Sequence, residues 1–288
     1  MPTPRKVIID TDIGDDIDDA FALALALNCP ELRILGVTTA YGPTEKRAKM
    51  ALKLLRAAGR DGIPVAVGVR THDSTPNQYP FAADYAETQP IADSAVEFIL
   101  RTLEESAGDV TLIAYGPLTN LGAAFRQGPE TMRKMQELII MGGMVGAGSE
   151  KVGEMRPEYN IKCGVPAAQA VFTGGVKLTM VGLDVTMLCE LDPERRQAIA
   201  EAGTPLTDAV TAMLRLWPHR TPILHDPLAI SIAVDRSLVT TKACHVAVDD
   251  QGFTRIVEGP PANTDVCVGV DAERFLTFFT ERLCAAHR

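Results

Sequence analysis

The sequence predicts a single α/β domain in which helices flank a mostly parallel central sheet, with a small antiparallel extension. Two observations lead to this prediction. Short apolar runs alternate with longer helical stretches, a pattern typical of parallel strands joined by right-handed crossovers. In addition, no linker, repeat or low-complexity tract divides the 288 residues. We therefore expect one domain over residues 1–288.

The first strands and helices follow in order along the chain. Residues 7–9 predict the first strand, and residues 19–27 predict a helix because alanine and leucine dominate there. Leu32–Thr39 predicts the second strand. Residues 45–58 have helical periodicity, and Gly59 can supply the left-handed residue that commonly ends a helix.

The central part of the chain continues the alternation. Its apolar runs are nearly continuous, as expected of parallel strands that are buried on both faces. The predicted strands are Val65–Val67, Val110–Ala114, residues 138–141 and Leu178–Val181. A helix is predicted over residues 92–106, between the first two of these strands.

The pattern is less regular beyond Asp184. Residues 192–202 and 206–216 predict two helices. Residues 244–248 and 254–257 predict an antiparallel hairpin around a turn that contains Gly252. This hairpin is the small antiparallel extension.

Composition excludes several classes of protein. A net charge of -9 argues against binding nucleic acid, which needs a basic surface. No apolar run approaches the roughly 20 residues of a membrane helix. The six cysteines form no C-x-x-C pair, and the strand predicted at Val7 leaves no room for a signal sequence. We therefore expect a cytoplasmic protein with reduced thiols and no membrane partner.

The stretch DTDIGDDIDDA, residues 10–20, holds six aspartates directly after the first strand. Neighbouring carboxylates repel one another, and burying them is costly unless something compensates their charge. Asp18 and Asp19 open a helix, where acidic residues complement the helix dipole. Asp10 and Asp12 end a strand, and carboxylates there are suitable ligands for Ca²⁺ or Mg²⁺. The stretch predicts a divalent-cation site, with a solvated acidic turn as the alternative.

Four further motifs contain candidate site residues, and three of them follow a predicted strand or could open a helix. They are YGPLTN at residues 115–120, MGGM at 141–144, EYN at 158–160 and LHDPLA at 224–229. Each has a simpler explanation; Asp226, for example, could be a helix N-cap with Pro227 in the first helical position. Ligands of open α/β sheets bind beyond the carboxyl ends of the strands, so the motifs could converge there.

Taken together and in this order, the motifs resemble the inosine–uridine-preferring nucleoside hydrolase family. The resemblance runs from Val7 to about Phe278 and includes VGLDVT at residues 181–186. It implies a Rossmann-like nucleoside hydrolase fold, one bound Ca²⁺, and hydrolysis of the N-glycosidic bond of ribonucleosides to free base and ribose. It also implies a role in purine and pyrimidine salvage and assembly as a homodimer or homotetramer.

The resemblance assigns roles to individual residues. Asp12 would be the general base that activates a calcium-bound water, and His225 would protonate the leaving base, with His219 and Arg220 as alternative donors. The calcium ligands would be Asp12, Asp19, Asp226 and the backbone carbonyl of Tyr115. The residues that hold ribose would be Asp18, Met141, Glu158 and Asn160.

Three departures from the family pattern leave questions open. Two extra residues precede the aspartate pair, so Asp15 and Asp16 have no counterpart and Asp16 could itself ligate the metal. Pro43 stands where the family often has an asparagine on a ribose hydroxyl. The segment around Trp217, where base-recognition residues vary, also departs. Base preference therefore stays open, and the loop at residues 75–90 could either close over the site or simply pack on the surface.

Three alternative functions are compatible with parts of this pattern. A haloacid-dehalogenase-like phosphatase also begins with a strand and D-x-D, but there Gly-Thr usually follows, whereas Ile13 and Gly14 follow here. A related hydrolase could act on a non-standard ribosyl compound. A catalytically silent metal-binding module would explain Pro43.

Overall fold

The computed structural model describes residues 3–148, 152–219 and 221–285. Its strands are β1 (Arg5–Thr11), β2 (Leu32–Thr39), β3 (Val65–Val67), β4 (Val110–Ala114), β5 (Glu137–Met141), β6 (Leu178–Val181), β7 (Val239–Cys244), β8 (Val246–Val248), β9 (Thr254–Ile256) and β10 (Thr264–Val270). Eight of them form one sheet in the order β3-β2-β1-β4-β5-β6-β10-β7. All neighbours in it are parallel except β7, which runs antiparallel to β10.

The order of the strands creates a binding position at the centre of the sheet. From β1 the chain first builds outward through β2 to β3, and then returns to the other side of β1 with β4. This reversal leaves a crevice beyond the carboxyl ends of β1 and β4, where open α/β sheets bind their ligands.

The α-helices pack on both faces of the sheet. They are α1 (Asp18–Leu27), α2 (Thr44–Ala57), α3 (Ala95–Glu105), α4 (Thr119–Gln127), α5 (Pro129–Met132), α6 (Tyr159–Lys162), α7 (Val165–Phe172), α8 (Leu183–Thr186), α9 (Pro193–Glu201), α10 (Pro205–Leu216), α11 (His225–Val234) and α12 (Ala272–Cys284). In β1, Val7 and Ile9 point into one hydrophobic core and Ile8 into the other, as the alternation of a strand requires. Among the described residues, no helix is long and apolar enough to cross a membrane.

The predicted α/β fold with a mostly parallel sheet is confirmed, and so is the small antiparallel hairpin, β8 with β9. One prediction within it was wrong. Residues 244–248 do not form one strand, because Cys244 pairs with Thr264 in the large sheet whereas Val246 pairs with Ile256 in the small one. The predicted helix 92–106 also begins later, at Ala95, because Ser94 caps it in a capping box with Glu97.

Candidate active site

A cavity of about 540 Å³ opens at the carboxyl ends of the central strands. Its acidic part comes from the loop after β1 and from the first turns of α1 and α11. Its remaining walls come from the loops after β4 and β5, from α6 and α8, and from the segment that follows α10. The lining residues that the sequence had singled out are Asp12, Asp15, Asp16, Asp18, Asp19, Tyr115, Met141, Glu158, Asn160, Trp217, His219, His225 and Asp226.

Three carboxylates meet at the bottom of this cavity. Asp18 and Asp19 open α1, Asp226 lies in the first turn of α11, and one oxygen from each lies within 4.8 Å of the other two. All three side chains are buried. The amide of Asp226 donates to Asp18 Oδ2 at 3.3 Å, and the Thr11 hydroxyl donates to Asp19 Oδ1 at 2.6 Å.

The electrostatics of this carboxylate group fit a cation. Burial raises the pKa of Asp18, Asp19 and Asp226 well above the usual range, and repulsion from neighbouring aspartates raises each further. Among the described residues, none of the three forms a salt bridge. A hard divalent cation prefers oxygen ligands of this kind and would supply the missing positive charge.

Asp10 lies near the end of β1 and Asp12 directly follows the strand, but their environments differ. Asp12 lines the cavity; burial raises its pKa to about 7 although the nearby charge of Arg47 opposes the rise. Asp10 lies beneath the cavity, where Thr38 and Asn120 Nδ2, the latter at 2.7 Å, donate to its Oδ1. Thr38 is the neighbour of Asp10 across the β1–β2 pairing. Asp10 therefore ties β1 to β2 and α4.

The two extra aspartates lie outside the buried group. Asp15 forms a salt bridge of 2.9 Å with Arg47. Asp16 is exposed, and its Oδ1 accepts from the amide of Ile17 at 2.6 Å. Both line the cavity near its rim.

Three of the four predicted ribose-binding residues, Met141, Glu158 and Asn160, form a hydrogen-bonded wall. Asn160 Nδ2 donates to the carbonyls of Tyr115 at 3.0 Å and Met141 at 3.1 Å, which joins the loop after β4 to the end of β5. The Glu158 carboxylate accepts from the amides of Gly143, Asn160 and Ile161 at 2.9–3.1 Å, so that it caps α6. Burial nevertheless raises the pKa of Glu158.

The opposite end of the cavity is less acidic and partly apolar. His225 Nδ1 lies 2.7 Å from the hydroxyl of Thr186. Burial, and then the charge of Arg156, lower the pKa of His225 to about 4. The rings of Trp217 and His219 make an edge-to-face contact, with 5.1 Å between their centroids. Arg220, the other alternative donor, lies outside the described residues.

Sequence reasoning assigned no role to Asp184 of VGLDVT. Its carboxylate is buried and accepts from the amides of Val145, Ala147 and Gly148 at 2.7–3.1 Å. It thus fixes the loop after β5. A lone acidic residue just past a strand could have suggested such a role, but not the loop that it holds.

The loop at residues 75–90 contributes to the cavity through Asn77, whereas its aromatic side chains pack elsewhere. Tyr85 is buried, and Lys53 of α2 lies over the Phe81 ring at 4.8 Å. Pro43 is buried at the start of α2 and does not line the cavity.

Known proteins resemble the chain throughout its length. The model of the inosine-uridine preferring nucleoside hydrolase family matches residues 7–277. The pyrimidine-specific ribonucleoside hydrolase RihA of Shewanella sp. (strain ANA-3) is 33% identical, over 97% of this chain and 96% of that protein. RihA of Enterobacter sp. (strain 638) is 34% identical, over 96% of this chain and 97% of that protein.

Solved structures agree with the sequence comparison. A plant nucleoside hydrolase superposes with a TM-score of 0.87 at 30% identity, covering 98% of this chain and all of that one. A purine-preferring ribonucleoside hydrolase from Gardnerella vaginalis superposes with a TM-score of 0.85 at 28% identity, covering 97% and 98%. With these matches and the acidic cavity at the switch point of its sheet, the chain belongs to the inosine–uridine-preferring nucleoside hydrolase family.

Proposed function

We propose that Ca²⁺ is the cofactor and Asp12 the general base with which this nucleoside hydrolase cleaves the N-glycosidic bond of ribonucleosides, releasing base and ribose. The observation that carries the proposal is the group of three buried carboxylates beside Asp12 at the bottom of a cavity. A group of carboxylates could also hold the metal of a phosphatase, so it is the family match that favours a hydrolase of nucleosides.

The carboxylates suit calcium because it takes six to eight oxygen ligands in flexible geometry. Asp19 and Asp226 would hold the ion together with Asp12 and the carbonyl of Tyr115. Asp18, in the same group, would accept hydrogen bonds from ribose hydroxyls. Asp16 would join the ligands only by turning away from the amide of Ile17, which it binds here.

The reaction requires water to reach C1′ on the face opposite the departing base, as in inverting glycosidases. Bound calcium would supply positive charge that orients this water and the ribose hydroxyls and makes the water more acidic. Asp12 then removes a proton from the water. Burial raises the pKa of Asp12, which makes its carboxylate a better proton acceptor, while bound calcium would lower the pKa again.

Departure of the base leaves negative charge on its nitrogen. We assign the proton donation to His225, because Thr186 lies against Nδ1 and leaves Nε2 as the ring nitrogen available to a ligand. At a pKa of about 4 the ring is neutral at rest. To act as the acid, the ring would first take up a proton from solvent, and the negative charge that develops on the base would favour this protonated form. Trp217 offers a flat apolar surface next to the same end of the cavity.

The proposal is tested by measuring released ribose as reducing sugar. The substrates are uridine, cytidine, inosine and adenosine, with and without a calcium chelator, because the relatives include pyrimidine-specific and purine-preferring enzymes. p-Nitrophenyl phosphate serves as the phosphatase control. Chelator-sensitive ribose release supports the proposal. Turnover of the phosphate ester alone, or calcium binding without turnover of any nucleoside, contradicts it.

We also propose that residues 1–288 form one catalytic domain that acts in the cytoplasm in base salvage, as a homodimer or homotetramer. All six cysteines are free thiols, which is typical of a reducing compartment. Assembly rests on the family alone, and light scattering coupled to size-exclusion chromatography tests it.

A further inference from the structure

Arg47 of α2 is completely buried directly behind the aspartate loop. A buried guanidinium is costly unless its donors are satisfied. Its Nη1 donates to the carbonyls of Asp12 and Ile13, the latter at 3.0 Å, and its Nε donates to the carbonyl of Tyr41 at 2.8 Å. Its Nη2 pairs with Asp15 at 2.9 Å.

We propose that Arg47 is a positioning residue that clamps the loops after β1 and β2 together, and so sets the place of the Asp12 carboxylate. This inference rests on the proposed function, because it assumes that Asp12 is the base and a calcium ligand. Arg47 itself does not line the cavity and would not contact substrate.

Arg47 binds the backbone of two loops, the one after β1 and the one after β2. Because Arg47 holds the carbonyls of Asp12 and Ile13, the backbone of the loop has little freedom at these residues. This fixes the point from which the Asp12 side chain extends. Tyr41, whose carbonyl accepts from Arg47 Nε, has a φ of 58°, which is rare for a residue with a side chain. A conformation of this kind persists only where the surroundings hold it.

The clamp also explains the two extra residues of the loop. Asp15 supplies the negative charge that Arg47 needs, and its own side chain is about half exposed, so it contributes this charge from the rim. On the side of the loop away from Arg47, Gln78 makes two hydrogen bonds. Its side-chain Nε2 donates to the carbonyl of Asp16 at 2.8 Å, and its backbone N–H donates to the carbonyl of Gly14 at 2.9 Å. The enlarged loop is therefore held from both sides.

A purely structural arginine would be the simplest alternative. A test must therefore use readouts that a general loss of stability would not change. Lysine is a suitable conservative variant, because it keeps the charge but lacks the planar fork that reaches several carbonyls at once. Arg282 is a matched control: it pairs with Glu31 near the start of β2, at the opposite edge of the sheet.

The experiment compares wild type with Arg47→Lys, Arg47→Met and Arg282→Met. Three quantities are measured: kcat and KM on uridine and inosine, Ca²⁺ affinity by calorimetry on metal-free protein, and amide hydrogen exchange of residues 12–17. Groups that orient metal ligands typically contribute about 10–100-fold to affinity or activity. We expect Arg47→Met to lose kcat and calcium affinity in this range, with faster exchange at residues 12–17 and smaller effects in Arg47→Lys. Arg282→Met should lose only stability.

The clamp is overturned if both Arg47 variants keep kcat and calcium affinity within threefold of wild type and their exchange at residues 12–17 is unchanged. Should Arg47→Met fail to fold, Arg47→Lys decides. A wild-type protein that neither hydrolyses nucleosides nor binds calcium refutes the proposed function instead. In that case the exchange of residues 12–17 still decides whether Arg47 holds the loop.

Discussion

Removal of calcium should have a measurable effect on folding as well as on activity. Asp18, Asp19 and Asp226 each place a carboxylate oxygen within 4.8 Å of the others. At this distance and an effective dielectric constant of about 20, two full charges repel by about 3.5 kcal/mol, and three pairs by about 10 kcal/mol. This repulsion is comparable to the total stability of a typical domain. The metal-free protein should therefore keep at least one proton on the group at pH 7, and calcium should displace it.

Two measurements follow from this estimate. Calcium at 100 times its Kd should stabilise the fold by about 2.7 kcal/mol, which corresponds to a rise in Tm of about 4–5 °C for a chain of this size. Titration of metal-free protein with calcium in weakly buffered solution should release protons, which an indicator dye detects. Magnesium should have a smaller effect because it demands a more regular geometry and gives up its waters reluctantly.

Asp226→Asn separates repulsion from ligation. The substitution removes two of the three repulsive pairs, so the metal-free variant should be at least as stable as metal-free wild type. It should also gain much less stability from calcium. A metal-free variant that is clearly less stable than wild type, or calcium binding without proton release, would refute the reasoning.

Three further predictions concern single side chains. Asp12→Asn should fold and lose about 10²–10⁴-fold in kcat; activity within tenfold of wild type would indicate another base, most simply Asp16. His225→Ala should slow uridine and inosine hydrolysis far more than that of p-nitrophenyl riboside, whose leaving group needs no proton, and equal losses would exclude the acid role. Burial raises the pKa of Glu137, but Arg236, Thr179 and Lys177 outweigh this and lower it overall, so its stabilisation is present at neutral pH and lost as pH falls through the lowered value. Glu137→Gln should therefore cost about 1–3 kcal/mol in urea unfolding at pH 7 and less near pH 3, and a cost independent of pH would contradict this.

Local patterns were enough to predict the parts of the fold that depend on neighbouring residues. The buried parallel strands are short apolar runs in the sequence, so β2, β3, β4 and β6 were predicted with the bounds that the structure has. Capping residues mark helix ends in a similarly local way. By contrast, β7 was not predicted: four of its six residues are exposed, and its pairing partner β10 lies about 20 residues farther along the chain. A pairing between segments so far apart in the chain leaves no periodic pattern of apolar residues in the local sequence.

The candidate site was predictable where residue type and chain position suffice. An aspartate pair that opens a helix, and a His-Asp pair that opens another, reach one cavity because α1 and α11 both begin at the same edge of the sheet. The partners beneath the site were not predictable. Asp10 with Asn120 and Arg47 with the Asp12 carbonyl join residues 110 and 35 positions apart, and only the packed fold brings them together.

The six aspartates crowded between a strand and a helix occupy different environments, and this explains how the fold accommodates them. Asp10 accepts hydrogen bonds below the site through Oδ1, while its buried Oδ2 has no partner among the described residues. Asp15 forms a salt bridge with a buried arginine, and Asp16 is exposed and accepts from the amide of Ile17. Asp18 and Asp19 are buried and form no salt bridge among the described residues, although the charge of Arg47 acts on Asp19, and the nearby charge of Asp12 raises the pKa of both. Charge density along the sequence was thus a weak guide to the metal ligands. What distinguishes Asp18 and Asp19 is that they share a buried group with Asp226, where a cation could replace the proton that the metal-free group keeps at neutral pH.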